Sequence, residues 1–334
     1  AVSDADLQDR PAVALMGYSI HGDEASGTEA ALLLLYHLAA GQGPDVDAAL
    51  ENVVTLIDPM FNPDGRDRFV DWANGNRGGR ATADPQDREH NQPWPGGRTN
   101  HYWFDLDRDW LPAQHPSSQG RLDYFHDWKP QVLTDFHEMG SEATYFFQPG
   151  VPGRTNSNTP RRNQALTATL AEYHADYLDQ VGSLYYTRET FDDFYYGKGS
   201  TYPDINGSIG ILFEQASSRA LKQETSKGTM TYAFTVRNQF LTSLSTLRGV
   251  VEERTDILAY QRDFFANRSD VLADTETRAY VVDRSDHRTR AQALARLLQR
   301  HDVRMYDLGR SVDAEGQSFA AGDAFVVPLD QPQG

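Results

Sequence analysis

His21-Gly-Asp-Glu24 sets an imidazole nitrogen three residues before a hard carboxylate oxygen, a donor combination that suits Zn²⁺. Two ligands do not close a site, so the reading depends on a third donor from far along the chain. His137 supplies one, directly after the apolar run Gln131-Val-Leu-Thr-Asp-Phe136. A short His–Glu spacer followed by a distant His is a common way to build a catalytic zinc site whose fourth position stays open to water. Glu214 ends a further apolar run, Ser208-Ile-Gly-Ile-Leu-Phe213, and could move a proton beside such a centre. Each residue also has an ordinary reading: a surface His beside a solvated Glu, a structural His, or a Glu in a surface salt bridge.

These residues need elements to hold them. Ala12–Met16, closed by Gly17, reads as a buried strand, and Ala30–Ala40 as the helix after it. Asn52–Ile57, Gln131–Phe136 and Ser208–Phe213 read as three more buried strands, the first ended by the turn residues Asn62-Pro-Asp-Gly65. Three of the four strands thus deliver polar groups at their carboxyl edge, where open α/β sheets bind ligands. Thr167–Leu178 has helical spacing, as does Gly228–Phe265, which is long enough for one or two helices. Asn74–Thr99 is dense in Gly, Pro, Asn and Arg, and a long insert of this kind usually serves function or moves. The tail carries strands at 277–282, 303–308 and 324–327 and an amphipathic helix at 288–300.

The expected fold is α/β: a mixed central sheet flanked by helices over residues 1–268, followed by a partial small α/β unit over 275–334. The chain has 334 residues, 39% of them hydrophobic, enough for a substantial core. A formal charge of −17 argues against nucleic-acid binding, which needs basic stripes. With no cysteine, disulfides, thiolate catalysis and Cys-type zinc are excluded. No apolar run is long enough to span a bilayer, and no Gly-x-Ser-x-Gly elbow suggests a serine hydrolase.

Five motifs in order resemble the zinc metallocarboxypeptidases of the carboxypeptidase A/B type: His21-Gly-Asp-Glu24, Asn62-Pro-Asp-Gly65, Asp105-Leu-Asp-Arg108, Phe136-His137 and Phe213-Glu214. The match spans roughly residues 12–220. The resemblance implies one zinc per chain on His21, Glu24 and His137, with Asp105 orienting the His21 imidazole. It implies Glu214 as general base toward the attacking water and then proton donor to the leaving amine. Arg108 would pair with the substrate's terminal carboxylate, as guanidinium chemistry allows. An oxyanion-stabilising arginine is expected too, either Arg77 or Arg98, and a substrate-capping tyrosine among Tyr195, Tyr196 and Tyr202. The family has Asn-Arg where this chain has Asp107-Arg108; a carboxylate at 107 cannot donate to a substrate carboxylate and would repel it. Members of the family also carry more strands before the His-x-x-Glu turn, so the chain resembles a piece of a longer bacterial exported enzyme, periplasmic or secreted.

The function expected from this resemblance is zinc-dependent removal of C-terminal residues from peptides. Asp107 keeps open a zinc amidase or deacylase acting on cell-wall peptides or acylated amino acids. A third possibility is a zinc-binding scaffold without catalysis. Oligomeric state and side-chain preference are not legible in the sequence.

Overall fold

The computed structural model describes residues 3–266 and 276–331. The nine described helices are α1 (Asp4–Gln8), α2 (Ser26–Ala40), α3 (Pro44–Asn52), α4 (Pro63–Asn76), α5 (Pro116–Trp128), α6 (Arg161–Gln180), α7 (Tyr232–Glu252), α8 (Arg254–Ala266) and α9 (Arg288–Arg300). The strands are β1 (Ala12–Tyr18), β2 (Val53–Asp58), β3 (Val132–Met139), β4 (Tyr145–Phe147), β5 (Tyr185–Tyr186), β6 (Ile209–Ala216), β7 (Lys222–Thr225), β8 (Gly228–Thr231), β9 (Ala279–Asp283), β10 (Tyr306–Asp307), β11 (Val312–Ala314), β12 (Gln317–Phe319) and β13 (Ala324–Pro328). The chain divides into two compact units, residues 1–111 with 130–259, and residues 112–129 with 260–334. The expected boundary between 268 and 275 lies outside the described residues.

The first unit is built on a mixed six-stranded sheet in the order β2-β1-β3-β6-β4-β5. β2, β1, β3 and β6 run parallel, and β4 returns antiparallel to β6. β1, β3 and β6 are almost wholly buried, with β1 and the first halves of β3 and β6 largely apolar, as expected where helices cover both faces of parallel strands. The chain steps from β1 outward to β2, then returns to place β3 on the other side of β1. That reversal makes the carboxyl ends of β1 and β3 a topological switch point, the usual ligand crevice of open α/β sheets.

One face of the sheet is closed by stacked rings. Tyr18 and Phe136 lie 4.4 Å apart between centroids, and Phe136 and Phe213 4.7 Å. α7 packs there through polar side chains: Ser243 Oγ meets the Tyr18 hydroxyl at 2.8 Å, and Gln239 Nε2 donates to the His137 carbonyl at 2.9 Å. The strand carrying His137 is therefore tied to α7 at that residue. Both β3 and β6 run about three residues beyond the ends read from apolarity, because their pairing continues through His137–Glu214 to Met139–Ala216.

The second unit contains a three-stranded sheet, β10-β13-β9, in which both outer strands run antiparallel to β13. Its core joins Ala291 of α9 with Phe325 and Val327 of β13.

Candidate metal centre

β1 ends at Tyr18, and the turn that follows is held tightly. Gly22 has no room for a side chain, since a Cβ there would lie 2.0 Å from the backbone nitrogen of Arg66. Asn62 fixes the same turn from the start of α4. Its Oδ1 caps the helix by accepting from Gly65 N at 3.0 Å. Its amide nitrogen donates to the carbonyls of Ile20 at 3.1 Å and Arg98 at 3.2 Å. One side chain thus joins the β1 turn, α4 and the Arg98 loop, which is what the Asn-Pro-Asp-Gly motif does here.

His21, Glu24 and His137 meet at the switch point, all three buried. Glu24 Oε1 lies 2.8 Å from His21 Nδ1, Glu24 Oε2 lies 2.9 Å from His137 Nδ1, and the two Nδ1 atoms are 3.2 Å apart. The ring centroids stand 4.8 Å from each other. Donors bound at about 2.0–2.1 Å in a zinc tetrahedron stand roughly 3.3 Å from one another, so this donor set fits the ion in type, number and spacing. Glu24 is further fixed by the backbone N–H of Glu138, which donates to Oε2 at 3.0 Å.

The outward nitrogens also have partners. His21 Nε2 meets Asp105 Oδ1 at 3.0 Å, and that oxygen also accepts from Asp107 N at 3.0 Å, capping the short 3₁₀ turn Leu106–Arg108. His137 Nε2 lies 3.1 Å from Oδ1 of Asp135, a residue the sequence reading passed over. The signal was present: Asp135 precedes His137 by two positions on a strand and so shares its face.

Arg98 reaches the mouth of the donor set. It holds Asp105 Oδ2 through Nε at 3.1 Å and a terminal nitrogen at 2.8 Å, and its other terminal nitrogen is 3.2 Å from His21 Nδ1. Arg77 instead follows α4 and lines a cavity of about 230 Å³ with Glu29, Arg66, Glu89 and Glu138. Glu214 stands beside His137 in the β3–β6 register. Arg108 hydrogen-bonds the carboxylate of Asp107, whose other oxygen accepts from Gly199 N at 3.3 Å. Tyr202 is buried, its ring 5.7 Å from that of Trp110, whereas Tyr195 is exposed and donates to the Arg108 carbonyl at 3.4 Å.

Electrostatics follow from this crowding. Burial pushes His21 down, but Glu24 and Asp105 outweigh it and bring it up to about 9. Burial likewise opposes charge on His137, yet Asp135 and Glu24 hold it well above the usual imidazole range. Glu24 stays far below the carboxylate range because both imidazoles outweigh its burial. Burial lifts Glu214 to about 8, with His137 opposing. Such a cluster holds protons on its imidazoles, and a divalent cation displaces them.

An open α/β sheet with a His₂Glu donor set at its switch point, a carboxylate in register beside it and Arg98 close by is an arrangement that suits a metal-dependent hydrolase. Residues 2–254 match the zinc carboxypeptidase family, and the chain belongs to that family. No curated protein matches the sequence. Among solved structures, the chain is similar to a metallo-carboxypeptidase of Burkholderia cenocepacia (14% identity, TM-score 0.52, covering 72% of this chain and 57% of that one). It is also similar to a metallo-carboxypeptidase of Pseudomonas aeruginosa in complex with (2-guanidinoethylmercapto)succinic acid (15% identity, TM-score 0.53, 73% and 58%). Bovine thrombin-activatable fibrinolysis inhibitor in complex with tick carboxypeptidase inhibitor is a third (13% identity, TM-score 0.50, 74% and 83%). The chain spans less than two thirds of the length of either bacterial structure. These likenesses establish the mixed sheet flanked by helices as a carboxypeptidase fold. No described helix is long and apolar enough to cross a membrane.

Proposed function

We propose that the chain is a zinc-dependent carboxypeptidase acting on peptides, with one zinc on His21, Glu24 and His137 and with Glu214 as its acid–base residue. The observation that carries this reading is the convergence of two Nδ1 atoms and one carboxylate within 2.8–3.2 Å, with Glu214 one strand away in register with His137. Zinc, when bound there, supplies Lewis acidity that acidifies water and polarises the scissile carbonyl.

The chain's own residues supply the rest. Glu214 accepts a proton from the attacking water and returns it to the leaving amine, and its burial keeps the carboxyl basic enough for both steps. Asp105 fixes the His21 ring through Nε2, so that Nδ1 faces the other donors. Arg98 stands 3.2 Å from His21 Nδ1 and so can face charge developing on the carbonyl oxygen. Arg77, the other candidate for that role, lines a cavity with Glu138 instead. Arg108 is the receptor for the substrate's terminal carboxylate, and the exposed Tyr195 beside its carbonyl is better placed to cap a substrate than the buried Tyr202. A periplasmic or secreted setting accords with this activity.

A second reading has a specific observation behind it. Asp107 already occupies the Arg108 guanidinium, which favours an amidase or deacylase whose substrates lack a free α-carboxylate at this position. Metal analysis of the purified chain, with cleavage products read by mass spectrometry, tests both. Release of single C-terminal residues supports the carboxypeptidase, and cleavage only of amidated or acylated substrates supports the alternative. A chain that takes up no zinc overturns both.

A further inference from the structure

We infer that Asp135 is the positioning residue for the His137 imidazole, and that it contributes more to zinc affinity than Asp105 does through His21. The inference rests on the zinc site proposed above. Asp135 lies wholly buried within β3. Neither carboxylate oxygen has a hydrogen-bond partner among the described residues, and His137 Nε2 has none either. Its ion-pair partner is His137 Nε2, 3.1 Å from Oδ1. A carboxylate in such surroundings is costly to bury unless it serves a charged or strongly polarised partner, and the only histidine on its face of the strand is the metal-type donor two residues on.

The packing above Asp135 supports the same role. Gly199 presents bare backbone to it: a Cβ there would lie 2.5 Å from Asp135 Oδ2 and 2.9 Å from Trp110 Nε1. A glycine is thus required for the loop to close over the carboxylate and keep water from it. Asp105 differs in kind. It is one-quarter exposed and divides its oxygens among His21, Arg98 and the backbone of Asp107. Asp135 has no exposure and shares its oxygens with no arginine or backbone N–H, so its attraction for Nε2, 3.1 Å away, is screened less by water than that of Asp105 for His21. A carboxylate accepting from the far nitrogen of a ligating imidazole fixes the ring and raises its basicity, and losing it typically costs about 10–100-fold in metal affinity.

The test uses the full chain and zinc, with affinity read by chelator competition for wild type, D135N, D105N and G199A. D135N is expected to lose about 10–100-fold, more than D105N. G199A, which alters neither a histidine nor a carboxylate, is expected to weaken zinc binding in the same direction. In the zinc-loaded wild type, nitrogen–proton NMR should show a downfield, exchange-protected proton on His137 Nε2. This signal can be read even if D135N fails to fold. Unchanged affinity in D135N and G199A, or a rapidly exchanging Nε2 proton in the wild type, overturns the inference and leaves the zinc reading standing. A wild-type chain that binds no zinc overturns both.

Discussion

Asp107→Asn should strengthen recognition of free C-termini at Arg108. The Asp107 carboxylate is buried, bonds the Arg108 side chain through Oδ2 and accepts the Gly199 N–H through Oδ1. An incoming α-carboxylate must therefore compete with an internal carboxylate for the same guanidinium. An Asn keeps an acceptor for Gly199, removes the charge, and turns an amide donor toward Arg108. The arginine then gains nothing by staying and can swing to the substrate; it is 45% exposed, so water covers it meanwhile. A hydrogen bond to a charged group contributes about 1.5–3 kcal/mol, or roughly 10- to 150-fold in rate constant. Exposure of the arginine places the expected gain near the lower end, about tenfold in kcat/KM. The assay compares pairs of identical peptides, one with a free C-terminus and one amidated, on wild type and D107N at equal zinc content. Improvement should be confined to the free-carboxylate member of each pair. Equal rates for the two proteins on free-carboxylate peptides, or the same improvement on both members, would refute the competition argument.

Glu214→Gln should leave zinc stoichiometry at one per chain and lower kcat by about 10²–10⁴-fold, since the amide keeps size and polarity but cannot take a proton; loss of zinc along with activity would instead make Glu214 a ligand or a structural residue. Metal-free protein should lose stability as pH rises. His21 goes from 6.5 to about 9 on folding, so its contribution is fully present below 6.5 and lost as pH rises through about 9. That contribution is on the order of 3 kcal/mol at about 1.36 kcal/mol per pH unit. Zinc needs deprotonated imidazoles, so the zinc-induced rise in Tm should be larger at pH 9 than at pH 6, and calorimetry showing the opposite order would refute this. Asn62→Ala removes a helix cap together with the amide that ties the β1 turn to the Arg98 loop. It should cost about 0.5–2 kcal/mol for the cap alone, measured by denaturant unfolding, and should weaken zinc binding as well; a loss of stability with zinc affinity intact would limit Asn62 to capping.

What the sequence made legible, and what it did not, divides along a physical line. His21, His137 and Glu214 stand out because each closes a short apolar run, and the carboxyl ends of buried strands are where such a sheet can bind anything. The order β2-β1-β3-β6 is different, since it depends on pairing between segments as far apart as Ala14 and Val132 and leaves no mark in any one of them. Yet that order places His137 between His21 and Glu214. Asp135 was hidden by the same apolar pattern that revealed His137, because one acidic residue inside a buried run reads as an interruption unless its shared face with the histidine is counted. Arg98 and Arg77 could not be separated by their distance from Asn62: α4 carries the chain to Arg77, but the stretch from there to Arg98 has too little regular geometry to convert residues into ångströms. The Asn62 amide, bonded to the Arg98 carbonyl, decides which arginine arrives. Tyr202 illustrates a further limit: a tyrosine in a loop looks available, but packing against Trp110 removes it. Residue type fixes what a side chain can do, whereas its partner fixes what it is free to do, and for Asp107 and Arg108 the partner is the adjacent residue itself.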